Sequence, residues 1–154
     1  MTEITPEMNV LIIEDSQTTT AHLMASLRME FPRAAVSAAR TLKEAYEIMS
    51  LQEASRKPDV ILLDLILPDS ASAQATLATI PSLVSICRED CEHHNCRIVV
   101  ITSSTTVSED DVKRAGAVAM IRKPTIDDPR LGQVDYLIGP ELPISLRAAL
   151  SSIP

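Results

Sequence analysis

The sequence predicts one α/β domain built around an open, mostly parallel sheet, and three observations support this. Short runs of Val, Ile and Leu alternate along the chain with stretches whose apolar residues recur at helical spacing. Four of the apolar runs end on residues that phosphoryl chemistry uses. The 154 residues match the common size of one domain, and a hydrophobic content of 45% is enough for one core.

The first half of the chain predicts two strands and two helices. An apolar run at 9–13 predicts the first strand, and 34–39 predicts a weaker, Ala-rich second strand. Residues Thr41 to Glu44 have the form of a capping box at the start of the second helix. The first helix is predicted from residues at helical spacing, namely Thr20, Leu23, Met24, Leu27 and Phe31.

The middle of the chain predicts two more strands, at 59–63 and 97–101, separated by a long helical region. That region runs from about 72 to 93 and contains Pro81. Proline removes a backbone donor and clashes with the preceding turn, so we expect the helix to be kinked or split there.

The last part predicts a short helix at 107–115, ended by Gly116, and a fifth strand at 118–122. Residues 125–141 have little periodicity and are expected to form a loop. A final helix is predicted from Leu142, Leu146, Ala149, Leu150 and Ile153. We therefore expect an N-terminal tail at 1–7 followed by a single domain at 8–154.

Reactive groups follow four of the predicted strands. Ligands of open parallel sheets bind outside the carboxyl ends of the strands, so these groups should form one pocket. Asp64 would be the central carboxylate, and Glu14 and Asp15 would help to hold a hard cation. Thr102 and Lys123 would face phosphate oxygens. An aspartate with a metal and a cation beside it can take up a phosphoryl group.

Four segments, in this order, resemble the receiver domain of two-component response regulators (CheY-like). They are VLIIEDS, ILLDLILPDS, IVVITSS and GAVAMIRKP. Each contains the end of a predicted strand, namely the first, third, fourth and fifth, and the residues just after it. The resemblance extends from Met8 to about Ile153. It implies a flavodoxin-like, doubly wound, five-stranded parallel sheet in the order 2-1-3-4-5, with helices on both faces.

The resemblance also implies roles for single residues. Asp64 would accept a phosphoryl group from the phosphohistidine of a sensor histidine kinase or a histidine phosphotransfer protein. Glu14 and Asp15, with Asp64, would hold Mg²⁺. Thr102 would hydrogen-bond the phosphoryl oxygen and Lys123 would pair with it. The chain would be a signalling switch and not an enzyme, beyond self-catalysed phosphotransfer and autodephosphorylation.

Several positions depart from the family pattern. Met120 stands where receivers usually carry an inward-turning Tyr or Phe, Ser72 where a Gly often stands, and Ser103 where a small Ala is common. Ile66 occupies a position that influences how water reaches the acyl phosphate, so we expect a long-lived phosphoryl state. The loop after Pro124 is longer than usual and borders the face on which receivers bind partners or dimerise. Met120, Ser103 and Pro124 are therefore assigned to the switch and partner face.

Composition narrows the classes of partner. A net charge of −7 disfavours direct binding to nucleic acid and to anionic membranes. No apolar stretch approaches the roughly 20 residues of a bilayer span, and three cysteines fit reduced thiols. We expect a cytoplasmic, stand-alone receiver that acts on a downstream protein target, with homodimerisation left open.

Other interpretations remain open. A degenerate receiver would act as a binding module without phosphorylation. A haloacid-dehalogenase-like phosphatase would carry a second Asp two residues after the nucleophile, where this chain has Ile66. A flavodoxin-like cofactor binder would carry a phosphate-cradling loop where this chain has EDSQTTT.

A group of cysteines and histidines raises the alternative of a zinc site, whose ligands would be Cys87, Cys91, His93, His94 and Cys96. The spacing of these residues is not that of a usual zinc site, and buried thiols are the simpler expectation.

Overall fold

The computed structural model describes residues 8–52, 56–89, 96–104 and 106–122. Within these ranges strands and helices alternate as the sequence predicts. The strands are β1 (Asn9–Ile13), β2 (Ala35–Ala39), β3 (Val60–Asp64), β4 (Arg97–Thr102) and β5 (Ala119–Arg122). The helices are α1 (Gln17–Glu30), α2 (Leu42–Leu51), α3 (Ala73–Leu77), α4 (Ile80–Cys87) and α5 (Glu109–Arg114). The predicted loop at 125–141 and the predicted last helix lie outside the described residues.

The five strands form one sheet in the order β2-β1-β3-β4-β5, and every neighbouring pair is parallel. This confirms the predicted order. Each predicted strand agrees with the observed one to within one residue at either end. All five residues of β3 are buried, and β3 lies at the centre of the sheet. The central strands therefore carry the near-continuous apolar runs that a sheet covered on both faces requires.

Helices cover both faces of the sheet. Successive strand residues point to opposite faces, so Leu11 and Ile13 of β1 join a core cluster formed with α2, α3, α4 and α5. Val10 and Ile12 of the same strand join a second cluster with α1. None of the helices in the described ranges has both the length and the apolar character needed to cross a bilayer.

The long helical region predicted at 72–93 is split, as its proline suggested. Helix α3 ends at Leu77, and α4 begins at Ile80 with Pro81 in its first turn. Proline is accepted there because the missing N–H would have no partner within the helix. Helix α4 ends at Cys87, earlier than the predicted end at 93.

Four of the described helices, α1, α2, α3 and α5, begin with a side-chain cap, and those of α2 and α5 resemble the capping box. At α2, Thr41 Oγ1 accepts a hydrogen bond of 3.0 Å from the backbone N of Glu44, as predicted. The Glu44 carboxylate accepts from the backbone N of Arg40 at 3.3 Å, one residue earlier than a full capping box requires. At α5, Ser108 and Asp111 form the complete reciprocal box. Hydrogen bonds from the Ser108 backbone and hydroxyl lower the pKa of Asp111.

Candidate functional site

Three carboxylates meet at one edge of the sheet. Glu14 and Asp15 directly follow β1, and Asp64 is the last residue of β3. The two strands are neighbours in which Ile13 pairs with Leu63, so Glu14 and Asp64 leave the sheet at the same level. Ligand oxygens from Glu14, Asp15 and Asp64 all lie within 4.8 Å of one another. The carboxylates that the sequence assigned to one pocket are therefore together.

Two of the three carboxylates in the cluster are buried, and the third is exposed to solvent. Asp64 is 5% exposed and Glu14 is 3% exposed, whereas Asp15 is exposed. Asp64 Oδ1 accepts a hydrogen bond of 3.2 Å from the backbone N of Ile66. Glu14 Oε1 accepts one of 3.1 Å from the backbone N of Ser16. These donors offset part of the cost of holding like charges close together and out of water.

The composition of this cluster fits a hard divalent cation. Its donors are all carboxylate oxygens, which Mg²⁺ and Ca²⁺ prefer, and it contains no thiolate or imidazole. The exposed Asp15 leaves one side of the cluster open to solvent, where Mg²⁺ can retain some of its waters. The residues present could therefore hold the predicted cation.

A buried hydroxyl lies on the strand next to Asp64. In the register between β3 and β4, Asp64 pairs with Ile101, which places Thr102 one residue further along. The Thr102 side chain is fully buried, and its Oγ1 accepts a hydrogen bond of 3.0 Å from the backbone N of Ser104. Because that oxygen acts as the acceptor, the hydroxyl hydrogen remains available for another group. Ser103, the next residue, is exposed.

The loop that follows Asp64, residues 65–72, is tied to the core through Thr76. This threonine has no exposed surface, and its Oγ1 lies 2.8 Å from both the backbone O of Leu65 and Oγ of Ser70. Ser72 caps α3 by accepting a hydrogen bond of 3.0 Å from the backbone N of Ala75. Serine at position 72, where receivers often have glycine, therefore starts the helix.

The same loop also caps α2, through a contact that the sequence did not predict. Asp69 accepts hydrogen bonds from the backbone N atoms of Leu42, at 3.1 Å, and Lys43, at 3.0 Å. Partial desolvation opposes the charged form, but backbone donors on Lys43, Leu42 and Asp69 itself outweigh it and lower the pKa of Asp69. The donors are distant in sequence from Asp69, so no local motif could have indicated this contact.

Part of the loop that follows Thr102 (residues 103–108, of which 105 lies outside the described residues) is held by hydrogen bonds from the neighbouring strand β5. Arg122 is the last residue of β5, and its Nη1 donates to the backbone O of Ser104 at 2.6 Å. Its Nη2 donates to the backbone O of Val107 at 2.8 Å. A planar guanidinium can make both bonds at once because its donors form a rigid fork. No local sequence motif indicated this role of Arg122.

The remaining predicted site residues are placed as follows. Met120 is half-buried and packs against the core cluster of α2 to α5. Ile66, two residues after Asp64, is 52% exposed. Lys123 and Pro124 lie outside the described residues, as do Cys91, His93 and His94 of the zinc hypothesis. Cys87 and Cys96 are both buried, as expected for structural thiols.

Known protein structures share this architecture. The receiver domain (CheY-like) from Methylobacillus flagellatus superposes with a TM-score of 0.63 at 20% identity, covering 97% of this chain and 100% of its own. The phosphorylated cyanobacterial phytochrome response regulator RcpA gives a TM-score of 0.61 at 21% identity, covering 97% and 98%. The Mn²⁺-bound form of response regulator Rcp1 gives 0.57 at 21% identity, covering 86% and 90%.

The similarity of this chain to known proteins is detected in its structure but not in its sequence. No protein-family model matches the chain, and no curated protein matches it. At identities this low, the structural likeness establishes the fold. The order of the strands, the coverage of nearly the whole chain and the many similar receivers agree with one another. The chain therefore has the CheY-like fold of response regulator receiver domains.

Proposed function

We propose that the chain is a phosphoacceptor signalling domain in which Asp64 receives a phosphoryl group. The observation that carries the proposal is the meeting of three carboxylates within 4.8 Å at the carboxyl ends of β1 and β3, beside the buried hydroxyl of Thr102. Two structurally similar proteins are a phosphorylated response regulator and a Mn²⁺-bound response regulator, which supports the same chemistry here.

Phosphoryl transfer in this site would be a direct displacement. An oxygen of Asp64 forms the new bond to phosphorus as the bond between phosphorus and the donor imidazole breaks, and the imidazole takes up a proton. Glu14, Asp15 and Asp64 would hold Mg²⁺, which offsets the negative charge of the carboxylate and the phosphate. Thr102 would donate its free hydroxyl hydrogen to a phosphoryl oxygen, and Lys123 would pair with another.

The proposed partners follow from this chemistry. The donor would be a sensor histidine kinase or a histidine phosphotransfer protein, and the recipient of the signal a downstream protein. Phosphorylation adds about two negative charges at Asp64, which would draw Thr102 inward and move the 103–108 loop. The face next to that loop, including Met120, would report the change. A cytoplasmic location and a single domain at 8–154 stay predictions.

Intact mass after incubation with Mg²⁺ and acetyl phosphate tests the proposal. We expect wild-type protein to gain one phosphoryl mass only when Mg²⁺ is present, and Asp64→Asn to gain none. Asp110→Asn is the matched control, because Asp110 is an exposed carboxylate in the first turn of α5 and is not one of the three clustered carboxylates. Folding of each variant would be checked by circular dichroism.

One alternative has an observation in its favour. Met120 packs into the core where receivers usually carry an aromatic residue, which suits a binding module that does not switch. Folded wild-type protein that gains no phosphoryl mass and binds no Mg²⁺ would support that module instead. The phosphatase alternative is disfavoured, because Ile66 places an apolar side chain where the second acid would be needed.

A further inference from the structure

Helix α3 contacts the loop that follows Thr102 through two side chains outside the carboxylate cluster. Gln74 lies on α3, and its Nε2 donates to the backbone O of Thr106 at 3.4 Å and to Oγ1 of the same residue at 3.5 Å. Both residues are exposed, so water can replace either bond. The contact therefore joins α3 to the 103–108 loop by bonds that are longer than usual and easily broken.

The contact continues from Thr106 to the buried hydroxyl of Thr102. Oγ1 of Thr106 and Oγ of Ser104 share a hydrogen bond of 2.9 Å, and the backbone N of Thr106 donates to the same Ser104 Oγ at 3.3 Å. The backbone N of Ser104 donates in turn to Oγ1 of Thr102 at 3.0 Å. A continuous series of hydrogen-bonded residues therefore runs from Gln74 on the helix to the side chain proposed to bind a phosphoryl oxygen.

The helix at one end of this series is fixed in place. Thr76 on α3 has no exposed surface, and its Oγ1 donates to the backbone O of Leu65, at 2.8 Å, in the loop that follows Asp64. Leu77, the last residue of α3, belongs to the core cluster. Because α3 is tied to the core and to the loop after Asp64, the contact made by Gln74 restrains the other loop relative to the phosphoacceptor side of the site.

Movement of Thr102 toward a phosphoryl group would stretch or break this series. In the proposed function the 103–108 loop moves together with Thr102, whereas α3 is held by its buried contacts. Bonds that exist only before phosphorylation lower the fraction of molecules in the arrangement that binds a phosphoryl group, and so they weaken its apparent affinity. Loss of the contact between Gln74 and Thr106 should therefore strengthen that affinity.

We propose that Gln74 and Thr106 are positioning residues that hold the 103–108 loop, and through it Thr102, in the arrangement that precedes phosphorylation. Their role rests on the function proposed above and adds a regulatory contact to it. The state of the phosphoryl site is linked to helix α3 as well as to the face that includes Met120. Because the bonds are few and exposed, their loss changes the apparent affinity by about two- to fivefold.

Titration of the full chain with beryllofluoride in the presence of Mg²⁺, followed by NMR, tests the proposal. Gln74→Met removes the donor and keeps an unbranched side chain, and it should bind beryllofluoride about two- to fivefold more tightly than the wild type. Ala78→Met is the matched control, because Ala78 is exposed one helical turn further along the same face, and it should bind as the wild type does. Thr106→Val should also bind more tightly, whereas Thr106→Ser keeps the hydroxyl and should match the wild type.

Two further measurements separate positioning from a purely structural role. In a Thr102→Val background, Gln74→Met should no longer change the affinity for beryllofluoride, because Gln74 acts through the hydroxyl of Thr102. The affinity for Mg²⁺ alone should be unchanged in Gln74→Met, since Gln74 is not one of the three clustered carboxylates. A residue that only stabilised the fold would lower the free energy of unfolding and leave the affinity for beryllofluoride as it is.

The adverse results can be told apart. If the wild type binds beryllofluoride and both Gln74→Met and Thr106→Val bind it no more tightly, the positioning role is overturned and the proposed function stands. A gain that persists in the Thr102→Val background, or that also appears in Ala78→Met, would likewise overturn the role. Folded wild-type protein that binds no beryllofluoride would overturn the proposed function, and the positioning role with it.

Discussion

The two loops that flank the carboxylate site are held in different ways. The 65–72 loop after Asp64 is fixed by a buried threonine, Thr76, and by the carboxylate of Asp69 at the start of α2. The described part of the 103–108 loop after Thr102 is held by exposed hydroxyls and by Arg122 on the edge strand β5. The bond from Thr76 to the backbone O of Leu65 is buried, and a hydrogen bond out of water costs more to break than one at the surface. The first loop is therefore suited to holding the acceptor, and the second to moving in response.

The largest effect is expected from removing the buried anchor of the 65–72 loop. Thr76→Val keeps the shape of the side chain but leaves the backbone O of Leu65 without its donor at 2.8 Å. We expect a loss of about 1–3 kcal/mol in the free energy of unfolding, measured by urea titration. Thr106→Val, an exposed position in the other loop, should change it by less than about 0.5 kcal/mol. Equal losses would contradict the contrast between the loops.

A smaller effect is expected from the cap that Asp69 provides to α2. Asp69→Asn removes the charge facing two backbone donors, and we expect a loss of up to about 1 kcal/mol, reduced by solvent because the residue is exposed. The pKa of Asp69 is lower in the folded state than in the unfolded chain. The ionised carboxylate therefore contributes its full stabilisation of the fold at pH values above about 3.9, its pKa in the unfolded chain. That stability is lost as pH falls through the lower, folded value.

Acid titration of the unfolding free energy checks this assignment. Between pH 6 and pH 3 the wild-type protein should lose more stability than Asp69→Asn, because the variant has no charge at this position to lose. Asp110→Asn is the control, since Asp110 lies in the first turn of another helix and is likewise exposed. An unchanged pH profile in Asp69→Asn would show that the cap does not depend on charge.

Loosening the second loop should act on switching more than on stability. Arg122→Ala removes the two bonds to the 103–108 loop, at 2.6 Å and 2.8 Å. If the loop must move for Thr102 to reach a phosphoryl group, the variant should bind the acyl-phosphate mimic beryllofluoride a fewfold more tightly. The upper limit is about tenfold, which corresponds to about 1.4 kcal/mol of binding free energy. Titration followed by NMR measures this. Arg122→Lys should resemble Arg122→Ala, since lysine lacks the two-donor fork. Weaker binding would mean that Arg122 instead organises the closed loop.

The smallest effect is expected at the exposed side chain of the fixed loop. Ile66 lies two residues after Asp64 and is 52% exposed, and its apolar side chain is expected to limit the approach of water to a phosphoryl group on Asp64. Ile66→Asn replaces an apolar side chain with one that can hydrogen-bond water, so the phosphorylated protein should lose its phosphoryl group more quickly. The rate of loss of the phosphoryl mass after removal of the donor measures this. A lifetime in Ile66→Asn equal to that of the wild type would contradict it.

Part of this protein could be predicted from the sequence because the relevant signals are local. The apolar runs that became β1, β3 and β4 had to be strands covered on both faces, and Pro81 had to interrupt a helix. The carboxylate cluster was also predictable, since residues after neighbouring parallel strands meet at one edge. Once β1 and β3 are predicted to be neighbours, Glu14 and Asp64 are expected to lie together, as they do.

Other features depend on residues far apart in sequence, and only the tertiary structure decided them. Asp69 caps a helix that begins 27 residues earlier, at Leu42. Arg122 reaches back to the backbone O of Ser104, 18 residues earlier. The sequence by itself determined which segments could be buried and which groups could meet at the ends of the strands. Packing determined how each loop is held, because those contacts depend on the relative positions of whole elements.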